Sequence, residues 1–572
     1  MLRTISAALL TLLAVATPAV ERVNHAGRLL PALPTVTTPL LFNDSTGAAD
    51  AVLAAMQIFP VDNAWNEDIS ARPLLGNSSA MTTRVANDLT SDGLRCFFEM
   101  NFVLVPDNQP LVAIAFLDYP DESDPSPYPI PSNWPIETWP RETGAQTLAQ
   151  WQESAVAGDR HGIIVRPGNG GLFETWQTRR VGTAWQASNG AYFNLASNAL
   201  RTADWTSADA AGLAMFPALV RYDEVQRGVV EHALRLIVKR TRSAYIYPAS
   251  HKASSLTDAD LPAMGQRFRL KSSFAIPTTW TAESQAVAVA LKRYGAIVAD
   301  NGSFFSVSVT PDDRWPSGCF NNLTGLVPDN FEVIASTGAS EGPRSASRPV
   351  ADAGGDQVLA AGLFSTALGG SVTGTATSIA WSAYPGNPGT VTFGNAAAPG
   401  STATFSAPGA YTLLLSAGNP AYWTSYDAVS ITVSAAGANP APVLDGAAPS
   451  GALQGAAATT VTLSGSAFMA GSTVTWSGQA DLSPSSWTST SLTVLIPASY
   501  LSTAGSAQVR VVNPGPGGGP SAPSTFTVSA SGSGGGGGGS SSGGGGGGCG
   551  AASGLAALLT LVLGLYGRLD RR

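Results

Sequence analysis

Apolar and polar positions alternate along most of this chain, and the repeat is mostly two. In "YTLLLSA" (411–417) and "SITVSA" (430–435), large or β-branched apolar residues recur among small polar ones. This is the pattern of strands with one buried face. "RHGIIVRPGNGGLFETW" predicts a hairpin turning at "PGNGG", and "NFVLVPDNQPLVAIAF" predicts two strands around "PDNQP". "VEHALRLIVKRTRSAYIYPASH" and "QRFRLKSSFAI" predict further strands. In "AESQAVAVALKRYGAIVADNG" the period changes: an amphipathic helix ends near Tyr294–Gly295 and feeds a buried strand, "AIVA". The expected class is mainly β. It comprises a large N-terminal β-sandwich or distorted barrel with few helices, then two immunoglobulin-like β-sandwiches.

The punctuation divides the chain further. Residues 1–19 read as a secretory signal peptide: Arg3, an apolar run from Ile5 to Val15, then small residues. A linker over 20–50 precedes the large domain, 51–337. A second linker, 338–344, leads to a module at 345–436, and a third module occupies 440–530. The second resembles PKD-like, immunoglobulin-type repeats of exported bacterial proteins through "PVADAGGDQ", "IAWS", "ATFSAPGAYTLLLSA" and "DAVSITV". The third resembles an IPT/TIG domain through "TVTLSGSAFMAGSTVTWSG", "SLTVLIPASYL" and "AQVRVVNPGPGGGP". Trp381 and Trp476 are the expected core aromatics of these two modules. The resemblances imply spacers or contact surfaces, not catalysis.

A Gly/Ser tether at 531–549, carrying Cys549, is followed by an apolar segment at 550–572 that closes on Arg568, Arg571 and Arg572. This ending resembles the MYXO-CTERM and GlyGly-CTERM sorting tails of Gram-negative bacteria, with Cys549 at the modifiable position; a plain membrane anchor is the simpler alternative. Either implies export to the cell surface or outer envelope, with release after C-terminal processing as one outcome.

Composition narrows the function. Of 572 residues only 12% are charged, while Gly (62) and Pro (39) are abundant, which suits exported β-rich modules. A net charge of -8 without a basic face excludes a nucleic-acid partner. Three cysteines exclude a disulfide-dense scaffold. Export places Cys96 and Cys319 where they can pair, and a bridge between them is expected as one of two readings. No metal motif, P-loop or GxSxG elbow occurs, so neither a metal nor a cofactor is expected. A monomer is expected. The acidic loop "DYPDESDP" is read as solvated, with a Ca²⁺ site as the alternative.

The large domain resembles a poorly characterised family of secreted bacterial proteins through "FPVDNAWNEDIS", "GDRHGIIV", "DAAGLAMFPALVRYDEV", "YIYPASH" and "YGAIVADNG". The resemblance brings no mechanism, so candidates come from the residues. Carboxylates lie among aromatics: Glu174 beside Trp176, Asp209 after Trp205, Glu224 next to Arg221 and Tyr222, and Asp300 at the end of a buried strand. With the domain's histidines His161, His232 and His251, they form the candidate catalytic set. Trp176, Trp205, Tyr222 and Arg221 are the candidate substrate-binding residues. Paired carboxylates flanked by aromatic faces are what glycoside hydrolysis requires. Each carboxylate taken singly also reads as a turn cap or an arginine partner.

The expected function is a surface polysaccharide hydrolase acting on a surface glycan and attached to the envelope through the tail. A non-catalytic adhesin or glycan-binding protein is the alternative. A lyase using His or Tyr with Arg is the second.

Overall fold

A computed structural model describes residues 22–89, 93–335, 348–420, 424–435 and 439–530. The expected signal peptide, the 338–344 linker, the tether with Cys549 and the C-terminal segment lie outside the described residues. Among the described residues no helix is long and apolar enough to cross a membrane.

The two largest sheets of the large domain are both mixed. The five-stranded sheet runs Asn189–Asn194, Gly171–Trp176, Gly162–Arg166, Val103–Leu104, Leu40–Leu41. Its centre is the hairpin expected from "PGNGG", with Arg166 opposite Gly171 and Gly162 opposite Thr175. Alternation sends Ile163, Val165 and Leu172 into the main core. Ile164 and Val103 point the other way, into a smaller cluster around Tyr128, Trp134 and Trp185. This sheet is therefore covered on both faces.

The six-stranded sheet runs Phe331–Val333, Arg267–Leu270, Ala296–Asn301, Leu234–Val238, Ser306–Val309, Arg95–Phe98. Leu234–Val238 lies parallel to Ala296–Asn301. The amphipathic helix Ala282–Arg293 covers this sheet, burying Ala286, Val287, Ala290 and Leu291 in the main core. Thr281 caps it by accepting the Ser284 N–H, and Lys292 and Arg293 occupy its last turn, where cations favour the helix dipole. Gly295 ends the turn at φ 69°, and a Cβ there would lie 2.3 Å from the Phe268 carbonyl oxygen, so only glycine fits. The next residues enter the strand Ala296–Asn301, which carries Asp300 as its penultimate residue.

Residues 20–50 differ from the expected linker. Arg22–Val23 pairs with Leu29–Leu30, Leu40–Leu41 edges the five-stranded sheet, and the helix Ala48–Ala55 begins before residue 51. Each strand is two residues long, too short to show a period in the sequence.

The two following modules are β-sandwiches. In the first, Gln357–Leu359, Ser425–Val433, Gly409–Gly418 and Ser378–Ala383 face Ser365–Ala367, Thr402–Phe405 and Val391–Phe393. Trp381 is buried between Tyr411, Leu413 and Leu415, and its indole donates to the Pro399 carbonyl at 2.8 Å. In the second, Trp476 is buried with its ring 5.0 Å from that of Phe526.

Candidate functional site

One cavity of about 190 Å³ opens between the five-stranded and six-stranded sheets of the large domain. Trp176 comes to it from the second strand of the central hairpin, His161 from the residue just before the first, Asp300 from the end of its strand, and Asp209 and His251 from loops. Asp159, Asn189 and Tyr119 complete the parts that carry chemistry.

The loop before the hairpin explains how two of these groups face inward. Arg160 has φ 46°, a backbone region a non-glycine residue seldom enters. Its guanidinium is buried away from the cavity, donating to the carbonyls of Thr178 at 3.1 Å and Trp151 at 2.9 Å. That anchor turns the flanking Asp159 and His161 toward the cavity. The Trp176 indole N–H then donates to Asp159 Oδ1 at 3.1 Å. Tyr119 lies 6.2 Å from Trp176, ring to ring, and the two form an aromatic wall.

Arg235 organises the floor. It sits in mid-strand, almost fully buried, where a charge is tolerated only with partners. Its Nε and Nη2 donate to the two carboxylate oxygens of Asp209 at 2.9 and 2.8 Å, and Nη2 also reaches Asp300 Oδ2 at 2.9 Å. Nη1 donates to Ser308 Oγ at 3.2 Å, and that hydroxyl donates to Glu99 Oε1 at 3.0 Å. Burial pushes Asp300 up to about 6 against the pull of Arg235, and the Asp209 charge adds to the rise. Burial likewise raises Glu99 to about 7 and Glu137 to about 8; Glu137 accepts the His161 backbone N–H at 2.9 Å.

Burial lowers His161 to about 4, so its ring is neutral at pH 7. His251 Nδ1 lies 2.8 Å from the Ala210 carbonyl, an acceptor, so Nδ1 carries a proton. In the neutral ring Nε2 then bears the lone pair.

The seven expected catalytic residues divide among three places. His161, Asp209, His251 and Asp300 line the cavity, with Trp176. Glu174 does not: it is fully buried behind it and accepts the N–H groups of Met215 and Phe216 at about 3 Å, capping the short helix Phe216–Ala218. Glu224 and His232 belong to a separate cluster with Arg221. Glu224 pairs with Arg221 at 2.9 Å and with His232 at 3.0 Å, across a small space shared with His25 and Glu231.

Of the remaining binding candidates, Tyr222 packs on Trp315 beneath Arg314, and Trp205 lies by Arg201, so neither contributes to the cavity wall. Cys96 and Cys319 carry free thiols and do not form the expected bridge. A strand and a loop bring both to one cavity of about 490 Å³, yet a disulfide also requires Cβ atoms about 3.5–4.5 Å apart. In the acidic loop, Glu122 accepts the Thr206 N–H at 2.8 Å and Asp124 pairs with Arg201, so these carboxylates are occupied by protein. Among the described residues no group of three or more His, Cys, Asp or Glu is arranged to hold a metal ion.

Asp159, Asn189 and Arg235 were not anticipated. Asp159 sits two residues before His161 in "GDRHG", where aspartate in a glycine-bounded loop reads as a turn residue. Arg235 interrupts the apolar run "HALRLIV", and a lone arginine in a buried strand was the available signal.

No protein-family model matches the chain, and no curated protein does. Solved structures match parts of it. The PKD domain of the KIAA 1837 protein is 28% identical over 18% of this chain and 93% of that one, with a TM-score of 0.14. The D00–D0 domains of intimin are 11% identical over 31% and 99%, at 0.15. A Bacteroides ovatus protein, SGBP-B of a mixed-linkage glucan utilization locus, solved with a mixed-linkage heptasaccharide, is 14% identical over 31% and 42%, at 0.11.

Proposed function

We propose that the large domain is a glycan-acting hydrolase displayed at the cell surface on two immunoglobulin-like modules. The observation that supports this reading is the cavity itself: Asp300, its pKa raised to about 6, and Asp159 stand beside an aromatic wall of Trp176 and Tyr119. Asp300 is the general acid, because near pH 6 a large fraction of it holds a proton to give to a leaving oxygen. Asp159, oriented by the Trp176 indole, is the base or nucleophile. Asp209 is spent on Arg235 and serves to hold the floor. Trp176 and Tyr119 offer faces for a sugar ring.

Elimination is less well supported. A lyase needs a cation to neutralise a uronate, and the guanidinium of Arg235 is engaged by Asp209, Asp300 and Ser308.

The test is digestion of a polysaccharide panel by the full chain, read by released reducing ends and by ultraviolet absorbance of unsaturated products. Reducing ends without absorbance support hydrolysis; absorbance would indicate elimination; binding without either would leave a glycan-binding module. Asp300→Asn and Asp159→Asn are each expected to lower turnover on the order of 100-fold or more. Turnover should fall as pH rises past about 6, as Asp300 loses its proton.

A further inference from the structure

The Trp176 cavity is rich in acceptors and carries little positive charge to meet them. Asp159, Asp209 and Asp300 all face it, and no Lys or Arg is among its described lining residues. The guanidinium beneath, Arg235, compensates Asp209 and Asp300 together. Asp159 has the Trp176 indole as its hydrogen-bond donor and lies in no ion pair among the described residues.

Two neutral groups repeat the theme. Asn189 is 2% exposed; its amide N–H is taken by the Ser207 carbonyl, and its Oδ1 has no partner. His161 is 3% exposed, and its Nδ1 has no partner. Burial keeps the ring neutral, so one of its two nitrogens bears a lone pair that can accept a hydrogen bond. Buried acceptors without donors are costly, and a ligand that supplies donors recovers that cost.

We propose that this cavity selects a saccharide unit bearing a free ammonium, an unacylated amino sugar, over neutral and uronic-acid units. The inference rests on reading the cavity as a glycan site. An ammonium brings three donors and the charge that Asp159 lacks; sugar hydroxyls supply further donors to Asn189 and His161. A uronate would add another acceptor-only anion to three carboxylates. An N-acetylated unit loses the charge and two of the three donors.

The experiment is calorimetric titration of the full chain, near pH 6, with glucosamine, N-acetylglucosamine and galacturonate oligomers of equal length. The glucosamine oligomer is expected to bind at least about tenfold more tightly than the N-acetylated one, and the galacturonate oligomer not to bind. Asp159→Asn should erase most of that preference, and higher salt should shrink it. Asn189→Leu is the second variant, expected to weaken all binding while thermal unfolding reports on its fold. Equal or tighter binding of the N-acetylated or galacturonate oligomer, a preference that survives Asp159→Asn, or no binding by any oligomer overturns the inference. The hydrolase reading fails separately: ammonium-selective binding with no cleavage supports the selectivity and removes the hydrolase. Cleavage of neutral glycans with no such preference does the reverse.

Discussion

Glu174 and Asp300 show how two carboxyl groups raised by burial can serve different purposes. Glu174 lies on the same strand face as Trp176 but one pleat farther in, where the 215–218 segment covers it. Burial raises it to about 8, although the Met215 and Phe216 N–H groups favour its charge. Native Glu174 therefore holds a proton that the unfolded chain releases near 4.5. Its contribution to stability is fully present below that value and is lost as pH rises toward about 8. Thermal unfolding of wild type and Glu174→Gln across this range should show the wild type losing ground to the variant as pH increases. Parallel curves would mean that Glu174 is ionised in the native protein. Asp300 is raised by the same cause, but its side chain stays 27% exposed at the cavity, where it can act.

The hairpin Gly162–Arg166 and Gly171–Trp176 carries the site because its sides are fixed by packing on both faces. Gly162 is the tightest point: a Cβ there would meet the Trp134 ring at 2.3 Å. Gly162→Ala should destabilise the domain by about 1–3 kcal/mol through overpacking. It should also displace the adjoining His161, so loss of the proposed glycan binding should accompany the lower melting temperature. In the C-terminal modules the matching elements are the strands of Trp381 and Trp476. Replacing either buried ring by Ala should cost about 3–5 kcal/mol. Calorimetry of the full chain should show one transition move while the others stay; an unmoved transition would mean the ring contributes little to its core.

Across the whole molecule, the segment 22–30 ties the first two folded units together. Asn24 and Arg28 donate to Glu231 of the large domain at 2.7 and 3.0 Å, and the Leu29 N–H donates to the Tyr384 hydroxyl of the next module at 3.1 Å. Gly27, at φ 84°, lies against the Tyr426 ring, where a Cβ would be 3.1 Å away. Glu231→Ala should speed proteolysis within 22–30; an unchanged rate would mean that the tyrosine contacts alone hold the segment. The proposed display at the surface rests on the tail. Deleting residues 555–572 should move the protein from the envelope fraction to the medium, and retention in the envelope would end the sorting proposal.

The sequence by itself determined the mainly β class, the hairpin at "PGNGG", the helix before Gly295 and the burial of Trp381 and Trp476. These rest on local signals: alternation, turn residues and a change of period, each readable within a dozen residues. It also supplied His161, Asp209, His251 and Asp300 as candidates, because scarce imidazoles and carboxylates at strand ends stand out in an apolar chain. Only the tertiary structure decided which of the candidates meet. Glu224 and His232 have the same local look as Asp209 and His251, yet they close on Arg221 in another part of the domain. Arg235 joins Asp209 and Asp300 across 26 and 65 positions of sequence. No local pattern encodes such a meeting, because it depends on which strands lie side by side in the six-stranded sheet and on the left-handed turn at Arg160 that aims Asp159 and His161 inward.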